Sequence, residues 1–126
     1  MSRVMLALKN VLADVDVIDT FIFDEIDTGV SGRAAQKVGE KMTALGQKRQ
    51  VLCITHLPQI AAMADRHFLI EKNTADGRTI TKVTALDWKA SVQEVARLMG
   101  GAQITKATIA AAEEMKGMAE TLKKSM

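Results

Sequence analysis

Phe21–Asp27 reads FIFDEID, and Gln50–His56 reads QVLCITH. Each is a short apolar run that ends in side chains able to do chemistry. Ile18 to Asp24, bounded by acids, predicts a buried strand, and Gln50 to Thr55 predicts a second. Between them Ser31 is placed to cap a helix over Gly32 to Leu45, with Ala35, Val38, Met42 and Leu45 on one stripe and Gly46 as its stop. Strand, helix, strand at this spacing predicts a parallel crossover. In parallel sheets ligands gather at the carboxyl ends of the strands. Two places follow: Asp24-Glu25, and Thr55-His56.

The flanking segments extend this alternation. Val4, Leu8, Val11 and Leu12 predict an amphipathic helix over Ser2 to Ala13. Pro58 suits the first turn of a short helix ending near Ala64. His67 to Lys72 reads as a third strand. Ala75-Asp76-Gly77 is a turn signal, and Arg78 to Leu86 returns from it as the second arm of a hairpin. Ser91 and Glu94 have the spacing of a capping box for a helix ending at Gly100-Gly101. Ile104, Ala107, Ala111, Met115, Met118 and Leu122 define the apolar stripe of a last helix, with Lys116, Lys123 and Lys124 outside it. Trp88 reads as a packing anchor between hairpin and helix.

Composition limits the function classes. The chain has 126 residues, 48% hydrophobic and 25% charged, enough for one domain with a single core. A net charge of +2 is too small to imply nucleic-acid binding by itself. Aromatic residues are 3% with no Tyr, which argues against a base-stacking platform. The single cysteine, Cys53, excludes an internal disulfide framework and a multi-cysteine zinc site. No apolar run reaches the length of a membrane span and no signal peptide is visible, so a reducing cytoplasm is the expected compartment. None of the eight glycines is followed by Lys, so the usual phosphate-binding loop is absent.

Several chemistries fit the two strand ends. An acid after a buried strand can hold Mg²⁺ through its water shell, and a neighbouring acid can orient or deprotonate a water. Strand alternation sends Asp24 and Glu25 to opposite sides, so one role for both is not expected. His56 can donate to a phosphate oxygen or to an attacking water, or can simply pack before Pro58. Asp24, Glu25, Asp27 and His56 together also suit a metal-dependent phosphoesterase. Cys53 and His56 project to opposite faces of a strand, which makes Cys53 a core residue rather than a nucleophile. A non-catalytic interaction module, with the same acids serving only structure, is the remaining reading.

The combination FIFDEIDTGVSGR, a helix, and ITHLPQIAAMAD resembles the C-terminal part of the ATPase head of the RecN family. These are DNA repair proteins of the structural-maintenance-of-chromosomes (SMC) type within the ABC ATPases. The twelve-residue run Ile54 to Asp65 is its most specific part. The resemblance covers essentially the whole chain and implies an α/β fold. That fold is a partial P-loop NTPase head of the ABC type, with a mainly parallel sheet, a β-hairpin and C-terminal helices. Residues 1–126 would form one C-terminal lobe of such a head.

By the same resemblance, Asp24 matches the Walker B aspartate that positions Mg²⁺, Glu25 the catalytic glutamate, and His56 the switch histidine. Thr28 to Ser31 match the D-loop region that crosses the dimer interface, where ABC transporters have Asp in place of Ser31. Asp27 and Ser31 join Asp24 as expected cofactor-binding residues, Asp27 otherwise reading as a loop-ordering acid. Ser2-Arg3 resemble the tail of the signature motif. ATP and Mg²⁺ are then the implied cofactors of the complete protein. The implied partners are the N-terminal part of the same head, a second head in a homodimer, and DNA, with no membrane. The implied location is the bacterial cytoplasm, at the nucleoid during work on DNA. The chain alone is expected neither to hold ATP tightly nor to hydrolyse it. The family's P-loop strand would lie between the switch-histidine strand and His67 to Lys72. Without it, closure by direct strand pairing, or strand exchange between two copies, is expected.

Overall fold

The computed structural model describes residues 19–24, 32–100 and 103–126. The expected helix over Ser2 to Ala13, and the candidate residues Glu25, Asp27, Thr28 and Ser31, lie outside the described residues.

Strand β1 (Thr20–Asp24) leads to helix α1 (Gly32–Gly46), strand β2 (Gln50–Ile54) and the short helix α2 (Pro58–Ala61). β1 and β2 pair in parallel, Thr20 opposite Gln50 through Asp24 opposite Ile54. Phe21 and Phe23 point to one face of this pair and are buried with Val38, Met42, Leu45 and Ile60, while Val51, Cys53 and Leu57 pack against them. The stripe read from α1 is thus its buried face, Ala35 included. Gly39 lets α1 approach α2 closely, since a Cβ there would sit 3.3 Å from the Met63 side chain and 3.4 Å from the Gln59 carbonyl.

The other face of the pair is open among the described residues. Ile22 is 61% exposed, and Leu52 and Ile54 are also exposed.

Strands β3 (His67–Ala75) and β4 (Arg78–Leu86) form an antiparallel hairpin. Asp76 and Gly77 have φ of 51° and 73°, the two positive values of a type I′ turn, which is why Asp-Gly sits there. β3 runs three residues further than the sequence reading, because the tight turn carries pairing to Ala75 opposite Arg78. The hairpin is a separate two-stranded sheet among the described residues. Closure of the parallel sheet by direct pairing of β2 with β3 is therefore not seen there: the α2 turn and the anchoring of His67 on the following helix carry β3 away.

Helices α3 (Trp88–Gly100) and α4 (Lys106–Lys124) complete the chain. They share a second core, in which Val92, Val95, Ala96 and Ala112 meet Ala61 and Ala62. α2 thus joins the two cores, with Ile60 in the first and Ala61 in the second.

Two sequence expectations are corrected here. The cap of α3 is Asp87, whose Oδ1 accepts from the Ala90 amide at 2.8 Å. Ser91 lies inside the helix and is buried, and Glu94 binds Arg97 instead of closing a capping box. The helix starts earlier because Asp87 follows β4 directly and can cap at once. The buried face of α4 is also displaced: Ala112, Lys116 and Ala119 are buried and Met115 of the expected stripe packs at their edge, whereas Ile104 and Met118 are exposed. At about 100° per residue the true face lies roughly a quarter turn from the stripe of larger apolar residues. Trp88 is half exposed and its ring lies 4.7 Å from the Lys116 ammonium, which ties α4 to the start of α3.

Candidate active site

The parallel register sets the geometry of the candidate site. Asp24 is the last residue of β1 and stands opposite Ile54, the last of β2; His56 follows two residues on. Neighbouring strands lie about 4.8 Å apart and each residue advances about 3.3 Å, so both groups occur at one rim of the sheet. Both are exposed. Along β1 the alternation puts Thr20, Ile22 and Asp24 on the open face and the two Phe residues on the core face.

The chain beyond β2 is shaped locally. The Thr55 hydroxyl accepts from the Leu57 amide at 3.0 Å, turning the backbone immediately after the strand. Leu57 then adopts an extended conformation before Pro58 opens α2. His56 is the residue displayed by this turn, while Leu57 on its other side packs into the first core. Cys53 is half-buried against that core, in keeping with its reading as a packing residue. At the opposite end of the strands Thr20 Oγ1 donates to Gln50 Oε1 at 3.0 Å, so the polar groups there bond to each other.

Asp24 suits Mg²⁺ in one respect: it is an exposed hard oxygen donor, and Mg²⁺ is commonly held by one or two carboxylates with the rest of its shell from water and phosphate. No cluster of three or more metal-ligating side chains occurs among the described residues, so an all-protein metal cage is not formed by them. Of the residues singled out in the sequence, the structure brings Asp24 and His56 to one rim; Glu25, Asp27 and Ser31 lie outside the described residues.

A second polar cluster was missed by the sequence reading. Lys116, only 5% exposed, donates to the Ser91 hydroxyl at 2.8 Å, and His67 Nδ1 lies 2.7 Å from the same oxygen. Burial lowers the Lys116 pKa, helped by Lys123 and opposed by Glu120. Lys123 is likewise not a solvated lysine: it reaches the Ala64 carbonyl at 3.2 Å and Asp65 at 3.0 Å. The available signal was the i, i+4, i+7 spacing of Ala112, Lys116 and Ala119, which marks a face of small residues containing one lysine.

Comparison with known proteins gives a consistent picture. No protein-family model matches the chain. DNA repair protein RecN of Bacillus subtilis is 46% identical over 123 residues, 98% of this chain. The proteins of the same description from Halalkalibacterium halodurans and Haemophilus influenzae are 46% and 45% identical, over 97% and 91% of it. The chain spans only about a fifth of the length of these relatives, 21% for the first. A solved structure from work on ATP-driven dimerization and DNA-stimulated activation of SMC ATPases aligns with a TM-score of 0.59, covering 79% of this chain and 59% of that one. At 19% identity this likeness shows the fold, an α/β arrangement of the SMC ATPase type. Among the described residues no helix is long and apolar enough to cross a membrane.

Proposed function

Because the chain belongs to the RecN family of DNA repair proteins, we propose that it forms the C-terminal lobe of an ATPase head that hydrolyses ATP during double-strand-break repair. In this reading residues 1–126 contribute Asp24 to hold Mg²⁺, Glu25 to activate water, and His56 to contact the terminal phosphate. Asp27 and Ser31 contribute to nucleotide binding. What supports the reading is the parallel register, with Asp24 opposite Ile54 and His56 two residues beyond.

Mg²⁺ at Asp24 would neutralise charge on the phosphate oxygens. The protein's own part is positioning. Glu25 holds a water for attack and takes its proton, and His56 supplies an N–H to an oxygen of the transferred group. Without a Gly-Lys phosphate loop in the chain, the carboxylates alone repel a triphosphate, and the isolated polypeptide neither binds ATP tightly nor turns it over. The remainder of the head, a second head and DNA are the proposed partners, and the bacterial cytoplasm the proposed location.

The test is transplantation. With this chain replacing the matching segment of the Bacillus subtilis RecN, ATP turnover persists and falls at least about a hundredfold in Glu25→Gln, the usual scale for general-base catalysis. Unchanged turnover in that variant contradicts the proposal. The exposed face of Ile22, Leu52 and Ile54 favours a second reading, an interaction module. That reading gains if binding of a second copy or of the remaining head persists while all turnover variants behave alike.

A further inference from the structure

The hairpin meets the two C-terminal helices at a junction whose hydrogen-bond directions can be deduced. Lys116 Nζ has only protons to give, so the Ser91 hydroxyl accepts from it. The serine proton finds an acceptor among the described residues only if it is donated to the other neighbour, His67 Nδ1, at 2.7 Å. Ser91 Oγ has no third hydrogen-bond partner among the described residues. An imidazole that accepts at Nδ1 is neutral and carries its proton on Nε2. The three groups come from β3, α3 and α4, and Lys116 also caps the ring of Trp88.

We propose that His67, Ser91 and Lys116 form a proton-operated clasp. The neutral imidazole holds the base of the hairpin against α3 and α4, and protonation of Nδ1 below neutral pH releases it. On protonation the proton from solvent occupies the Nδ1 lone pair that the serine was using. Ser91 then faces two cationic donors, and its own proton loses its acceptor. The charges around the junction are Lys116 and Glu94, acting on His67, and Lys123 and Glu120, acting on Lys116. Asp65 is paired with Lys123, and Arg97 holds both oxygens of Glu94 at 3.0 and 2.9 Å, which draws that carboxylate away from answering a new imidazolium.

Burial lowers the His67 pKa, the Lys116 cation lowers it further, and Glu94 offsets part of this. The unfolded chain therefore binds more protons between the lowered value and about 6.5, the ordinary value for imidazole. Stability supplied by the neutral form is complete above about pH 6.5 and declines as pH falls towards the lowered value. The hairpin feels this most, since a two-stranded ribbon has little stability of its own and Glu71 to Val83 are exposed throughout.

Imidazole nitrogen NMR of the 126-residue chain tests the clasp directly. At pH 7.5 His67 is expected as the Nε2–H tautomer, with a titration midpoint below about 6.5. Amide exchange in β3 and β4, corrected for the intrinsic pH dependence, is expected to rise at least tenfold across that titration while β1 and β2 change little. His67→Asn keeps an acceptor near the Nδ1 position and removes the titration, so its hairpin exchange becomes independent of pH. Lys116→Met raises the His67 midpoint. A neutral Nδ1–H tautomer, a midpoint at or above the ordinary value, or hairpin exchange equally pH-dependent in His67→Asn overturns the proposal. The tautomer and the His67→Asn comparison decide it even where Lys116→Met does not fold.

Discussion

The two cores of this molecule are built on different principles. The first, under β1 and β2, is made of large side chains: Phe21, Phe23, Val38, Met42, Leu45 and Ile60. The second, where α2, α3 and α4 meet, is chiefly alanine with Val92 and Val95. A sheet leaves a deep space beneath it that bulky residues must fill, whereas closely approaching helices leave almost none. The candidate site stands on the bulky core, and the clasp is built into the close-packed one. Removing volume should therefore harm the first region, and adding volume the second.

The largest expected effect is Phe23→Ala, which empties a fully buried position and should cost about 3–5 kcal/mol in urea unfolding. A loss below about 1 kcal/mol would mean that the helices collapse onto the sheet, against the close packing argued here. Next comes Ala112→Leu, which adds volume between α3 and α4 and should cost about 1–3 kcal/mol. If it stabilises the chain, the second core contains space and the contrast fails. Asp87→Ala removes the cap of α3 and should cost about 1 kcal/mol, while Glu94→Gln, with no capping duty, leaves the amide protection of the first turn unchanged. The reverse order would restore the capping box at Ser91. Smallest is Ile22→Ser on the open face, expected within about 0.5 kcal/mol of the parent by thermal unfolding. A larger loss would show that this face is covered in the folded chain.

The same contrast explains what could be read from the sequence. The first region was legible because large apolar residues announce their own burial: the stripe of α1 and the alternation of β1 both follow the side chains that are buried. The hairpin was legible because Asp76-Gly77 satisfies a turn that few other pairs can. The second core was misread for the complementary reason. Met118 and Ile104 look like core residues but are exposed, whereas Ala112, Lys116 and Ala119 are buried and Met115 of the expected stripe packs at the edge of the core. Lys116 reads as a surface cation until Ser91 and Trp88 are known to receive it. Of the candidate site, the strand ends were visible as polar residues closing apolar runs. That Asp24 stands opposite Ile54 depends on strand register, which no local pattern specifies.

The central proposal is that Asp24, at the same sheet rim as His56, holds the metal of a nucleotide site. Its most direct test is the Mg²⁺ dependence of ATP binding by the Bacillus subtilis RecN carrying this chain in place of its own segment. The account predicts that Mg²⁺ tightens binding in the parent chimera and in His56→Ala, and that Asp24→Asn removes most of that tightening. Equal Mg²⁺ dependence in Asp24→Asn and the parent would contradict it.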